Sequence, residues 1–138
     1  MKLLWLILVL VVVVIVGGLL YLYLGYYDIS AVHPHRKITL AILNEVRERS
    51  IVFHSKDVKT PPAVNDSALL EIGHKRFQET CRLCHGSQRE GFADGLYPNP
   101  PYLASKDIQS MNDREIFWVI KNGIKMTGMP AFGIRYKD

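Results

Sequence analysis

The chain has 138 residues, a net charge of +4 and only two cysteines, and 49% of its residues are hydrophobic. The positive charge is too small and too widely spread to indicate a nucleic-acid-binding protein. The hydrophobic residues are concentrated near the N-terminus, so they do not all contribute to one globular core.

Residues 3–24, LLWLILVLVVVVIVGGLLYLYL, carry no charge. At a rise of 1.5 Å per residue they would span roughly 33 Å, enough to cross a hydrocarbon layer of about 30 Å. A cleaved signal peptide is the alternative, but this segment is too long and the DISA that follows is a poor cleavage site. The sequence therefore predicts an uncleaved transmembrane anchor over residues 1–25. Lys2 on one side and Arg36 and Lys37 on the other leave its orientation undecided by charge.

Residues 26–64 are predicted to form a juxtamembrane amphipathic helix and a linker. In HPHRKITLAILNEVRERS, Pro34 suits a first helical position. Ile38, Ile42 and Val46 recur at a spacing of four, which predicts a helix lying on the membrane or on a partner. The Pro61–Pro62 pair would end any helix and mark the boundary of the next domain.

The third region, residues 65–138, is predicted to be helical and to contain no strand. NDSALLEIGHKRFQETCRLCH has helical periodicity up to Cys81 and offers three candidate N-caps, Asn65, Asp66 and Ser67.

A second helix in this region is predicted in SMNDREIFWVIKNG. Ser110 and Asp113 resemble a capping box, and Gly123 is a natural helix stop. A long loop rich in glycine and proline joins the two helices.

Both cysteines lie in CRLCHG, residues 81–86, and a histidine follows the second one. A thioredoxin-like redox pair would need a preceding strand, and a structural zinc site usually needs four ligands. A disulfide over so short a spacing would be strained. Covalent haem attachment is the remaining interpretation, and Cys-x-x-Cys-His is its signature. Three residues along a helical turn place both sulfurs on one face, where each could form a thioether, while His85 coordinates the iron.

The motifs CRLCHG, GHKRF and TGMPAF together resemble those of a class I c-type cytochrome, most closely the membrane-anchored form with one haem. The resemblance covers residues 65–138 and implies an all-α haem domain with one covalent haem c. It also implies that Pro101 accepts a hydrogen bond from the haem histidine and that Leu103 packs on the ring.

The same resemblance implies a methionine as the second axial ligand. In the family this residue lies in a loop after a glycine and commonly before a proline, which matches Met129 between Gly128 and Pro130. Met126 is the less favoured candidate, and an iron with an open or different sixth position is the third. Trp118 is predicted to line the haem and to reach a propionate, with plain core packing as the alternative.

These features predict a membrane-tethered, periplasmic one-electron carrier rather than an enzyme. The resemblance implies a bacterial cytoplasmic membrane protein with a cytoplasmic N-terminus and a periplasmic haem domain, served by a redox donor and an acceptor. One alternative is a haem-bearing electron-entry or relay subunit of a larger membrane oxidoreductase complex. Another is a ligand-binding sensor cytochrome.

One element of the class I family is missing from the predicted fold. A C-terminal helix normally crosses the first haem-domain helix at a glycine–aromatic face, here Gly73 and Phe77. Only nine residues follow Met129, which is too few for a loop and such a helix. We therefore expect either a truncated form of a longer protein or a partner subunit that covers this face.

Overall fold

The computed structural model describes residues 1–30, 32–59, 66–86 and 96–135. All regular elements in these ranges are helical, as predicted, and the chain divides into two compact units, Met1–Ser30 and Ala31–Asp138. The predicted boundary near Pro61 and Pro62 lies outside the described residues.

The first unit is a single helix, α1, over Lys2–Tyr23. Within the described ranges it is the one helix long and apolar enough to span a membrane. Beyond its end Gly25 adopts a left-handed φ of 75°, and the hydroxyl of Tyr21 donates to the carbonyl of Tyr26 at 3.0 Å. The chain after α1 is thus folded back on the last helical turn.

The second unit begins with α2, Lys37–His54, which continues into a 3-10 turn, Ser55–Asp57. The predicted start at Pro34 is wrong, because Arg36 is still extended and precedes the first helical residue. Ile51 is only 7% exposed and is the one buried hydrophobic side chain in the described part of the chain.

A nearly continuous helical arm follows, made of α3 (Ser67–Arg76), a π-helical turn (Phe77–Cys81) and α4 (Arg82–His85). Among the three predicted caps, Asp66 is the one used, and its Oδ1 accepts from the Ala68 amide at 2.9 Å. A Cβ added at Gly73 would meet nothing within 4 Å, and no other described element packs on α3 apart from the π turn.

The rest of the unit contains α5 (Lys106–Gln109), α6 (Asp113–Asn122) and a final 3-10 turn (Phe132–Ile134). The final turn and α2 both pack on α6. After the methionine loop, the described residues contain only this 3-10 turn, and residues 136–138 lie outside the described ranges.

Helix α6 begins with a capping box, but the residues predicted for it, Ser110 and Asp113, are wrong, and Asn112 and Glu115 form it instead. Asn112 Oδ1 accepts from the Glu115 amide at 3.1 Å, and Glu115 Oε2 accepts from the Asn112 amide at 3.0 Å. Ser110 instead ends α5, where its hydroxyl donates to the Asp107 carbonyl at 2.8 Å. The predicted stop at Gly123 is confirmed, since this residue caps α6 with a φ of 65°.

The cap assignment can be tested by alanine substitution. We expect Asn112→Ala to lower the free energy of unfolding by about 0.5–2 kcal/mol, because two amides at the start of α6 lose their acceptor. Ser110→Ala is the matched control and should change it by less than about 0.5 kcal/mol. Urea unfolding of the full chain in detergent, followed by circular dichroism, measures both. Equal losses would contradict the assignment.

Candidate functional site

The cysteine motif is placed by the helical arm. Cys81 is the last residue of the π turn, and Cys84 and His85 belong to the short helix α4. Both cysteines are free thiols with intermediate exposure. The helical path from Cys81 to Cys84 puts the two sulfurs on one side of the arm, as a group with two attachment points requires.

The thiol of Cys81 is also electrostatically distinct. Its partial burial raises its pKa, and the neighbouring Cys84 raises it further. Both effects disfavour the thiolate form. Within the described ranges no three His, Cys, Asp or Glu side chains are grouped so that they could hold a metal ion.

The ring of His85 is held by the loop that follows. Its Nδ1 lies 2.9 Å from the carbonyl oxygen of Pro101. A carbonyl can only accept, so Nδ1 carries the proton and donates it. The neutral ring then keeps its lone pair on Nε2, the atom that is free to bind a metal. This is the contact that the resemblance implies for Pro101.

The Pro101–Leu103 segment is itself held by α5, an element that the sequence analysis missed. Gln109 donates through Nε2 to the Leu103 carbonyl at 2.9 Å. The Ser105 amide donates to the Tyr102 carbonyl at 2.9 Å, which closes the turn before α5. The side chain of Leu103 has intermediate exposure. A possible signal for α5 was the Ser-Lys-Asp start, with an N-cap residue followed by an acidic first turn.

The methionine loop leaves the end of α6 and returns to it. The Ile124 amide donates to the Met129 carbonyl at 3.3 Å. Thr127 bridges the loop, because its hydroxyl donates to the Ile124 carbonyl at 2.7 Å and accepts from the Met129 amide at 3.1 Å. The backbone of Met129 is therefore fixed on both sides by bonds within the loop.

The two methionines of this loop have different surroundings. Met126 has a left-handed φ of 60° and is 67% exposed, whereas Met129 has intermediate exposure. The left-handed residue of the loop is Met126, and Gly128 lies against Leu96, where an added Cβ would be 3.1 Å from Cδ2.

Trp118 has intermediate exposure on α6, and its ring stacks on His54 of α2 with centroids 5.7 Å apart and planes 10° from parallel. One face of the indole is therefore occupied by α2, and the predicted propionate contact stays a prediction. Nothing in the local sequence of His54 indicates this pairing.

The donor set fits a c-type haem. The motif offers two thiols at the attachment spacing and an imidazole whose Nε2 is available, and the loop after α6 offers a half-buried thioether. Imidazole nitrogen and methionine sulfur are the axial ligands of c-type electron carriers.

Comparison with known proteins agrees with this chemistry. The model of a family described as "Cytochrome C oxidase, cbb3-type, subunit III" matches residues 68–138. The chain belongs to this family, and its C-terminal region is a class I c-type cytochrome domain. No curated protein and no solved structure matches the chain.

The packing of the methionine loop on α6 depends on Gly123. A Cβ there would lie 2.6 Å from the Pro130 carbonyl carbon and 2.8 Å from the Met129 carbonyl oxygen. We expect Gly123→Ala to lower the free energy of unfolding by about 2–5 kcal/mol through backbone strain and overlap. Gly73→Ala is the matched control, because its Cβ enters open space within a helix and should stabilise by about 0.5–1 kcal/mol. Thermal unfolding of the full chain compares them, and a Gly123 variant as stable as the parent would contradict the packing.

Proposed function

We propose, from the membership of this chain in the cbb3-type subunit III family and from its site, that it is a membrane-tethered one-electron carrier with one covalent haem c. Its role as a haem-based electron carrier follows from the family. The observation that best supports a covalent haem bound by His85 is the 2.9 Å contact between His85 Nδ1 and the Pro101 carbonyl, because this histidine belongs to a Cys-x-x-Cys-His motif.

Each site residue has a definite task in this proposal. Cys81 and Cys84 would hold the haem by thioethers, and His85 and Met129 would bind its iron. Pro101 fixes the tautomer and the ring orientation of His85 and makes Nε2 a better donor. Leu103 would pack on the ring, and Trp118 would contact a propionate.

The ligand pair determines the type of chemistry. A bound haem supplies one-electron transfer, and histidine–methionine ligation raises its reduction potential. Two protein ligands exclude substrate and oxygen from the iron, so the chain passes electrons from a donor to an acceptor and is not itself an enzyme. The Thr127 bridge supports the firm sixth ligand, because it holds the Met129 backbone.

Membrane location rests on α1, whose 22 residues match a single span. We propose that α1 anchors the chain in a bacterial cytoplasmic membrane with a cytoplasmic N-terminus. The haem domain is then periplasmic, the compartment that covalent haem attachment in the c-type family implies.

The second candidate function is that of a relay subunit in a larger oxidoreductase complex. The family description and the open face of α3 favour it, because Leu69, Leu70 and Ile72 are 45%, 55% and 56% exposed. A partner over the Gly73–Phe77 face would bury them. Blue native electrophoresis with haem staining separates the two candidates: a large haem-stained band indicates the complex, and a single small band indicates the free carrier.

Covalent attachment is tested at the two cysteines. Cys81→Ala and Cys84→Ala should each leave at most one thioether, and the double variant should lose all haem on extraction with acidified acetone. The chain has no other cysteine that could substitute. Haem that resists extraction in the double variant would contradict covalent attachment through this motif.

The sixth ligand is tested by a matched pair of methionine variants. We expect Met129→Ala to abolish the sulfur-to-iron charge-transfer band of the oxidised protein and to lower its reduction potential, because the thioether ligand is removed. Met126→Ala, at an exposed position three residues earlier, should leave both unchanged. The assignment would be reversed by a larger effect at Met126.

A further inference from the structure

Helix α2 has two different faces, and only one is used within its own unit. Ile51 and Ser55, at 7% and 4% exposure, mark the packed region of α2 and the turn that follows it. A row of large apolar side chains stays in solvent on α2, and we call it the outer stripe. It consists of Ile38, Ile42, Val46 and Phe53, which are 70%, 58%, 60% and 65% exposed.

The spacing of the outer stripe is that of one helix face. Its members recur at intervals of four, four and seven residues, so they lie along one side of α2. Arg49 lies within this row, between Val46 and Phe53, and its guanidinium donates to the carboxylate of Glu45 one turn earlier and pairs with its charge. At the end of the stripe the Lys56 ammonium lies 5.9 Å from the centre of the Phe53 ring.

The charge around the stripe favours an anionic surface. Residues 36–59 contain six Lys or Arg and three Asp or Glu, a net charge of +3. An apolar helix face bordered by cations is the pattern of helices that lie in a membrane interface.

The connection to α1 keeps this surface near a bilayer. Thirteen residues, 24–36, separate the last residue of α1 from the first residue of α2. Even fully extended they reach at most about 50 Å, at about 3.6 Å per residue. A bilayer spanned by α1 is therefore always present at high effective concentration.

We propose that the outer stripe of α2 inserts into the headgroup region of the anionic bilayer that α1 spans. This rests on the membrane tether of the proposed function. Because α2 packs on α6, docking of α2 would hold the haem domain in one orientation on the membrane. Without docking, the domain could rotate freely relative to the membrane. The apolar side chains would sit about 5–10 Å into the boundary between headgroups and acyl chains.

The test uses the full-length holoprotein in nanodiscs that contain phosphatidylglycerol. Nitroxide labels are placed one at a time through Val12→Cys, Ile42→Cys and Leu70→Cys. Ile42 and Leu70 are matched in exposure, at 58% and 55%, but lie on different helices. Relative access of oxygen and of a water-soluble nickel chelate reports the depth of each label. The unsubstituted chain should take up no label if haem consumes both native thiols, and the haem spectrum of every variant checks its fold.

We expect the Val12 label deep in the bilayer, the Ile42 label about 5–10 Å into the interface and the Leu70 label in water. Val46→Gln with Phe53→Gln should return the Ile42 label to water, and discs of phosphatidylcholine alone should make its position shallower.

A deep Val12 label with an Ile42 label in water would overturn the inference and leave the tether intact. A Val12 label in water would remove the tether itself. An Ile42 label shielded from both reagents would place a protein on the stripe, and a Leu70 label in the interface would place the wrong face on the membrane; either overturns the proposal.

Discussion

The hydrogen bond between His85 Nδ1 and the Pro101 carbonyl is the constraint on which the site depends. In the described part of the chain, the arm α3–α4 does not pack on α2 or α6. The bond at 2.9 Å therefore joins the cysteine motif to the loop that leads into α5 and α6. It also selects the ring tautomer, so one contact both positions the proposed iron ligand and prepares its chemistry.

The position of Met129 depends on how α6 begins and ends. The capping box of Asn112 and Glu115 starts α6, and Gly123 ends it with a left-handed φ of 65°. The absence of a side chain at Gly123 lets the backbone of Met129 and Pro130 return against the helix end. The methionine loop is thus set by the position of α6, and α6 in turn is packed against α2.

Helix α2, predicted as part of a separate juxtamembrane segment, is packed into the second unit. Residues 37–54 belong to the same compact unit as the cytochrome domain and supply His54 to the face of Trp118. In the proposed tethered carrier, thirteen residues would connect the membrane helix to α2, which packs on α6. Electron transfer by such a carrier would depend on how the haem is presented to its partners. The open face of α3 remains the surface where a partner subunit is expected.

Features formed by residues close together in the sequence could be predicted from the sequence alone. An uncharged run longer than a bilayer is thick indicates a span, Cys-x-x-Cys-His places two thiols and an imidazole on one helical turn, and a glycine such as Gly123 stops a helix. The assignments to Met129 and Pro101 needed family resemblance, because nothing in a loop sequence says what lies opposite it.

The remaining features were decided by the tertiary structure, because they depend on contacts between segments that are distant in sequence. Ser110 could not cap α6 because α5 had already used it as its own end, which left Asn112 to begin the next helix. Gly128 lies against the side chain of Leu96, which is more than thirty residues earlier in the sequence. The period of α2 showed that one face is apolar, but only its packing showed that the buried position is Ile51 and that Ile38, Ile42 and Val46 face outward. A helical pattern specifies which residues share a side, whereas the partner on that side is determined by the assembled chain.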